Sequence, residues 1–212
     1  METVITWGIA TAIVVIVLGY EVALAFAQHR QPERLARTAH ATLREDWFAA
    51  VSAQAGSEIL AVQTLRNSLM SATMTASTAV LGLMGTLTLA APSLHASFGD
   101  GASGWPNFTP RLAMELMVIA LLFVSLVSSV MAVRYYNHAG FIGGMPVESE
   151  ARRRWAPAGT AYVRKAGVLY GWGLRQLILI VPMVAFILHP LAGLVGALGV
   201  VAALLNFDRF KP

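Results

Sequence analysis

The side chains best suited to chemistry in this 212-residue chain are ionisable and amide groups that flank long apolar runs. An arginine guanidinium presents a fork of N–H donors that suits phosphate or carboxylate. A carboxylate inside a bilayer costs about 2.5 to 3.5 kcal/mol on insertion scales, so it needs a partner. We predict a polar layer that either pairs internally or binds an anion or acidic lipid headgroup: Glu21, Arg66, Asn67, Arg134, Asn137, His138 and Arg175.

Glu21 interrupts the first apolar run and is the member that most needs a counter-ion. Arg66, Arg134 and Arg175 are its candidate partners. Asp208 joins the same layer if the chain crosses the membrane five times.

A second polar pattern occupies residues 63–80, a segment that continues directly into an apolar run. Its hydroxyl residues follow alternating steps of three and four, which places them on one helix face. Such hydroxyls bond to their own helix or across to a neighbour, and small residues allow close helix packing. The pattern predicts a tight helix–helix seam or, alternatively, the lining of a water-filled path: Thr64, Ser68, Ser71, Thr75 and Thr78.

Motifs for catalysis are missing from the sequence. The chain has no cysteine, which excludes disulfides, thiolate metal sites and cysteine nucleophiles. Its five histidines lack the spacing of a zinc-binding helix, and neither GxSxG nor GxxxxGK occurs. We therefore expect no metal site, no cofactor and no enzymatic activity.

Composition places the chain in a membrane. It is 57% hydrophobic and 12% charged, whereas a soluble domain carries roughly 25% charged residues. The apolar residues also form long blocks, which predicts an all-α polytopic transmembrane helical bundle with four or five spans. The net charge is +4, and most of the basic residues lie between these blocks. In that position they indicate the orientation of the chain in the membrane rather than nucleic-acid binding.

The apolar blocks predict one integral membrane domain, 1–212, and proline sets several of the helix boundaries. His189-Pro190 divides the last block, because a residue before proline leaves helical geometry, so a hairpin of two short spans is favoured over one kinked span. Pro92 is expected to begin a loop that ends at Thr109-Pro110, a cap and first helical residue. The predicted spans are about 4–27, 68–91, 112–133, 173–188 and 191–207, with basic segments at 28–67 and 134–172.

The first basic segment also has a helical pattern. Its apolar residues recur every three to four positions, with charged residues over much of the remaining circumference, which predicts a helix along the membrane surface. In the second basic segment, glycines and prolines predict no continuous helix before Gly159. The apolar residues of the surface helix are Leu35, Ala39, Leu43, Trp47, Phe48 and Val51.

The distribution of Lys and Arg predicts the orientation. Twelve of the fifteen fall between residues 28 and 67 or between 134 and 175. The positive-inside rule makes these segments cytoplasmic and the N-terminus external, which suits a bacterial inner membrane. The basic run before Trp155 is expected to contact anionic lipid headgroups through Arg152, Arg153 and Arg154.

One block of sequence resembles a known family. Residues 63–73, QTLRNSLMSAT, are similar to a block in the bacterial and plant membrane proteins grouped as domain of unknown function 599. Asn137-His138 with Phe141, Gly173-x-Arg175, Pro182 and Asn206-x-Asp208 also resemble later blocks of that family, over most of the chain. The resemblance implies a multi-span membrane protein without an established activity.

Two functions fit these patterns. The first is a small helical bundle or oligomer, transporter-like or channel-like, that binds or passes a small anionic species or a lipid headgroup. The second is a non-catalytic scaffold or accessory subunit of a larger membrane complex, favoured by the abundant small-residue faces.

Overall fold

A computed structural model describes residues 2–30, 35–98 and 108–208 and places most of them in helices. Five of these helices, all except α2, are long and apolar enough to cross a membrane. The predicted all-α bundle is therefore confirmed, and of the two predicted numbers of spans, four or five, the favoured five agrees with helix number, length and composition. In chain order, the helices are α1 (Glu2–Arg30), α2 (Ala36–Ala53), α3 (Glu58–Phe98), α4 (Pro110–Gly143), α5 (Glu150–Leu188) and α6 (Pro190–Phe207).

The described residues divide into two compact units. Of the described residues, unit 1 comprises 2–30, 79–98, 108–124 and 175–208, and unit 2 comprises 35–78 and 125–174. Each unit has its own apolar core. Buried side chains of the unit 1 core include Ile13, Val118 and Met183, and those of the unit 2 core include Phe48 and Val163.

The predicted break at His189-Pro190 is confirmed. His189 is extended, with φ −158° and ψ 126°, between the end of α5 and the start of α6. Gly193 then allows α6 to approach its neighbours in unit 1: a Cβ there would lie 2.5 Å from the Phe186 Cβ and 2.8 Å from Ile13 Cδ1. The break is thus set by proline locally, and close packing holds α6 against the end of α5, which is a helix of 39 residues and not the short span that was predicted.

The boundaries of α3 and α4 correct one prediction and confirm another. Pro92 lies inside α3, which continues to Phe98 instead of ending at residue 91. Proline is tolerated inside such helices when the freed carbonyl finds another partner. Pro110 does begin α4, and the Leu112 N–H donates to the Thr109 hydroxyl at 3.2 Å, so the predicted cap is confirmed. Residues 99–107 of the predicted loop lie outside the described residues.

The second basic segment is more helical than predicted. α4 continues through residues 134–143, and α5 begins at Glu150 and passes through Gly159 without a break. Ser149 starts α5, because its hydroxyl accepts the Arg152 N–H at 3.1 Å. Gly159 has a packing role, since a Cβ there would overlap the ring of Phe48. The expectation of a broken chain before Gly159 was therefore wrong: the helix is stabilised by a cap and by tertiary packing, neither of which the glycine and proline content reveals.

The helix predicted in the first basic segment is α2. Phe48 and Val51 are buried inside the protein, which the prediction of a helix along the membrane surface did not include, whereas Leu43 is 64% exposed. α2 therefore contributes one edge of its apolar stripe to the unit 2 core, and the stripe extends beyond it to the surface.

Candidate binding site

Four polar side chains of unit 1 meet around one arginine. α1 carries Tyr20 and Glu21 on successive residues, α5 carries Arg175, and Asp208 follows the last residue of α6. Arg175 is 7% exposed and Tyr20 is 6% exposed. These four residues are referred to below as the Arg175 cluster.

Hydrogen bonds connect every member of the Arg175 cluster. Arg175 Nε donates to Glu21 Oε1 at 2.6 Å, and its two terminal nitrogens donate to the Asp208 carboxylate at 3.2 Å and 2.9 Å. The same Arg175 Nη2 donates to the Tyr20 hydroxyl at 2.6 Å, and that hydroxyl donates to Asp208. The predicted need of Glu21 for a partner is met by Arg175, at a separation of 154 residues in the chain.

The electrostatics of the Arg175 cluster disfavour a further anion. Two carboxylates surround one guanidinium, so the formal charge of the ionised group is negative. The hydrogen bonds to Glu21, Asp208 and Tyr20 use the N–H donors of the Arg175 guanidinium, so that at most one N–H remains without an acceptor. An incoming anion would have to displace Glu21 or Asp208, and the cluster therefore joins α1, α5 and the end of α6 rather than offering an open cation.

The remaining members of the predicted polar layer belong to unit 2. His138 makes a ring contact with Tyr162, with centroids 5.9 Å apart. All five side chains are exposed, which leaves them accessible at the surface of the unit: Arg66, Asn67, Arg134, Asn137 and His138.

The predicted hydroxyl stripe also lies in unit 2. Ser68, Ser71, Thr75 and Thr78 each donate to the carbonyl four residues earlier, at 3.0 to 3.2 Å. Thr75 is buried, but Ser71 and Thr78 are exposed. The hydroxyl protons are thus satisfied within α3 itself.

A close seam between α4 and α5 does occur, around different serines. Ser125 Oγ donates to the Gly173 carbonyl at 2.8 Å, and Ser129 Oγ is so near Gly173 that a Cβ there would overlap it. These small residues bring the two backbones together, as the small-residue pattern predicts for membrane helices.

Unit 2 contains a cavity of about 290 Å³ between α2, α3, α4 and α5. Leu43, Trp47, Leu65 and Val163 give it a mostly apolar wall, and no acidic residue lines it among those that the structure describes. We refer to it as the Arg44 cavity because Arg44 is its one ionisable lining residue besides Tyr136. The complete lining is Leu43, Arg44, Trp47, Thr64, Leu65, Ser68, Tyr136 and Val163.

Arg44 has weak protein partners. Its Nη1 donates to the His40 carbonyl at 3.3 Å, which is beyond the usual N–H···O distance. Among residues 2–30, 35–98 and 108–208, no carboxylate forms an ion pair with it. The adjacent Glu45 pairs instead with Arg164 at 3.1 Å. Arg44 therefore combines a permanent positive charge with donors that remain available to a ligand.

Arg44 is one of the charged residues of the predicted surface helix and was not predicted as a site residue. The signal that identifies it is its spacing: it precedes Trp47 by three residues and Phe48 by four, so it shares their face of α2. Tyr20 was missed because a tyrosine in an apolar helix is ordinarily a packing residue. Thr64 and Ser68, both predicted, do line the cavity.

Arg152 is buried and does not face lipid. It is 1% exposed; its guanidinium donates to the Ile142 carbonyl and, at 2.9 Å, to Ser52 Oγ, and it lies over the ring of Phe48. This burial corrects the prediction for Arg152, since a buried guanidinium cannot reach a headgroup. Arg153 and Arg154 are exposed, and their contact with anionic lipid stays a prediction.

Fold and site together define an all-α helical bundle with five candidate membrane-spanning helices. The family described as "Protein of unknown function, DUF599" matches residues 9–212, and the chain belongs to this family. The comparisons found no similar protein among the curated proteins and none among the solved structures. In the part of the chain that the structure describes, no group of three His, Asp or Glu side chains is placed to hold a metal ion.

Proposed function

We propose that the protein is a non-catalytic, anion-binding membrane bundle whose binding site is the Arg44 cavity. The observation that carries this proposal is a guanidinium with only one long hydrogen bond, placed in the wall of a cavity without acidic residues. Pockets that bind small molecules combine an apolar lining with a few polar groups that fix the ligand's orientation. The Arg44 cavity has this composition.

Arg44, and not Arg175, is the cation that contacts the ligand. The donors of Arg175 are directed to Glu21, Asp208 and Tyr20. Exposed Arg66 and Arg134 belong to the same unit as Arg44 and add positive potential there. Such fields raise the local concentration and association rate of anions.

We place the cavity on the cytoplasmic side of a bacterial inner membrane, with the N-terminus outside. Its lining residues fall in, or directly beside, the two basic segments, which the positive-inside rule keeps cytoplasmic. A reporter fused to the C-terminus tests this orientation. With five spans and an external N-terminus, the reporter lies in the cytoplasm. A reporter found outside the cell contradicts this orientation.

Binding is tested on detergent-purified protein by the shift in unfolding midpoint with acetate, phosphate, dimethyl phosphate and 3-phenylpropionate. A ligand present at 100 times its Kd stabilises the folded state by about 2.7 kcal/mol. We expect at least one anion to stabilise the wild type, and Arg44→Gln to remove that effect. Arg164→Gln is the matched control, because Arg164 is an exposed guanidinium of the same unit outside the cavity.

Two results count against the proposal. Stabilisation by none of the four anions contradicts anion binding. An effect that survives Arg44→Gln but disappears with Arg66→Gln moves the site to the exposed surface of the originally predicted layer.

The protein would act as a transporter or channel if the anion that binds in the Arg44 cavity also crosses the membrane. Proteoliposomes with the wild type, Arg44→Gln and Glu21→Gln are compared for flux of the anion that binds. Flux that depends on Arg44 supports transport, and binding without flux restricts the protein to binding.

A scaffold or accessory subunit, or a homo-oligomer, is the second candidate. The favouring observation is the exposed face of α3, where Ser71 and Thr78 lie among exposed apolar residues and offer small side chains to a further helix. Purification from native membranes in mild detergent separates the candidates. A stoichiometric foreign subunit supports a scaffold, a homo-oligomer supports self-association, and a monomer contradicts both.

A further inference from the structure

The chemistry of the Arg44 cavity limits the class of ligand more narrowly than its positive charge does. The cavity has one guanidinium and no carboxylate, so it compensates one negative charge. A phosphate monoester carries about −1.5 to −2 charges at pH 7. The described lining offers no second cation for its second charge, and the wall beside Arg44 is mostly apolar. One cation therefore favours a monoanion.

The polar groups of the cavity suit a carboxylate. Arg44 offers a planar fork of donors, which matches the two oxygens of a carboxylate. The hydroxyls of Thr64 and Tyr136 supply further hydrogen-bonding groups in the same lining. The proton of Ser68 is already given to the Thr64 carbonyl at 3.2 Å, so the donors for a ligand come mainly from Arg44.

Volume and wall composition describe the rest of the ligand. The cavity of about 290 Å³ lies near the lower limit of roughly 300 Å³ for small-molecule pockets. A pocket of this size suits a small organic ligand. Trp47, Leu65 and Val163 make an apolar surface for the body of that ligand.

We infer that the ligand of the Arg44 cavity is a small monocarboxylate with a compact apolar body, such as an aryl-alkanoate. This inference rests on the proposed anion-binding function and adds the ligand class. The carboxylate lies against Arg44, and the apolar body packs against Trp47, Leu65 and Val163.

The test uses equilibrium dialysis of purified full-length protein with four probes, of which three have the same number of non-hydrogen atoms and the fourth is smaller. They are 3-phenylpropionate, its uncharged amide, phenyl phosphate as a monoester, and dimethyl phosphate as a model of a lipid phosphodiester. Loss of a charge-assisted hydrogen bond should weaken binding of the amide by roughly tenfold or more. Arg44→Gln should weaken the carboxylate to the same extent, and Arg164→Gln should leave it unchanged.

A second variant tests the apolar wall without removing the charge. Val163→Phe adds volume to the wall and should weaken 3-phenylpropionate more than acetate. Unfolding midpoints of each variant are measured in parallel, so that a fold defect is recognised.

The possible outcomes separate the ligand class from the proposed function. Arg44-dependent preference for the carboxylate over its amide and over both phosphates supports the inference. Tighter Arg44-dependent binding of phenyl phosphate or dimethyl phosphate overturns the ligand class and keeps the anion site. Binding of every probe regardless of Arg44 overturns both.

Discussion

Arg175 in unit 1 and Arg44 in unit 2 have opposite surroundings. Arg175 is buried and donates to two carboxylates and a phenol, with donor–acceptor distances of 2.6 to 3.2 Å. Arg44 lines an open cavity without a carboxylate and has one bond of 3.3 Å. The same side chain therefore connects helices in one unit and remains available in the other.

The difference shows why charge alone does not identify a binding site in a membrane protein. A buried guanidinium needs acceptors. Glu21 and Asp208 supply them for Arg175, so its N–H donors already bond within the protein and are not available to a ligand. Arg44 is half-buried, where water can satisfy it in the absence of a ligand. An arginine with incomplete protein partners in a cavity is consequently the better candidate for ligand binding.

The largest effect is expected from Arg175→Met, which leaves two carboxylates without their cation. Removing one partner of a buried ion pair costs about 3 to 5 kcal/mol. The lower end applies here, because the Glu21 and Asp208 side chains are 26% and 20% exposed. Chemical unfolding in detergent measures the loss. Arg164→Met, at an exposed pair, should cost less than about 1 kcal/mol, and equal losses in the two variants would contradict the contrast.

Restoring charge balance sharpens that test. Arg175→Met combined with Glu21→Gln and Asp208→Asn should recover part of the lost stability, since residues in one ionic network are strongly coupled. Additive losses would mean that Arg175 acts through packing alone.

Two glycine substitutions compare the rigidity of the two regions. Gly193→Ala should destabilise by about 1 to 3 kcal/mol, because its Cβ would lie 2.8 Å from the Phe186 backbone Cα. Gly167→Ala should cost less than about 1 kcal/mol, since the Cβ meets only the flexible end of Arg44, at 2.6 to 2.7 Å. It should nevertheless weaken 3-phenylpropionate by displacing that guanidinium.

Gly199→Ala is the control, because a Cβ there has nothing within 4 Å. It should be neutral or stabilising by up to about 1 kcal/mol through helix propensity. Unfolding midpoints rank the three variants, and a larger loss for Gly167→Ala than for Gly193→Ala would reverse the comparison.

Tyr20→Phe should produce a smaller loss, of about 1.5 kcal/mol, because it removes hydrogen bonds to charged groups. The Tyr20 hydroxyl lies between Arg175 and Asp208. Tyr162→Phe tests the general effect of removing a phenol, since no hydrogen bond to its hydroxyl is seen among the described residues. A Tyr20 variant as stable as the Tyr162 variant would remove Tyr20 from the network.

Arg44→Gln should have the smallest effect on folding, within about 0.5 kcal/mol. Its one long hydrogen bond contributes little, whereas its charge is needed for the anion. Unfolding without ligand measures the first property, and dialysis measures the second. A loss comparable with that of Arg175→Met would make Arg44 a structural residue.

Features set by local backbone geometry were predictable from the sequence, whereas features set by contacts between distant residues were not. His189-Pro190 and Thr109-Pro110 set helix ends through their own backbone geometry, and both boundaries were predictable. Pro92 and Gly159 were misjudged because distant packing decides whether a helix tolerates them. Arg152 was misjudged for the same reason: a basic run does not show which of its members is buried.

The sequence by itself determined the all-α membrane class, a number of four or five apolar helices and the need of Glu21 for a cation, because hydropathy and desolvation act at each position. Tertiary structure decided that Arg175 fills that need and that Arg44 remains available. Glu21 and Arg175 are 154 residues apart in the chain. Whether they pair therefore depends on which faces of their helices pack together. Packing fixes those faces, and no local pattern in the sequence records it.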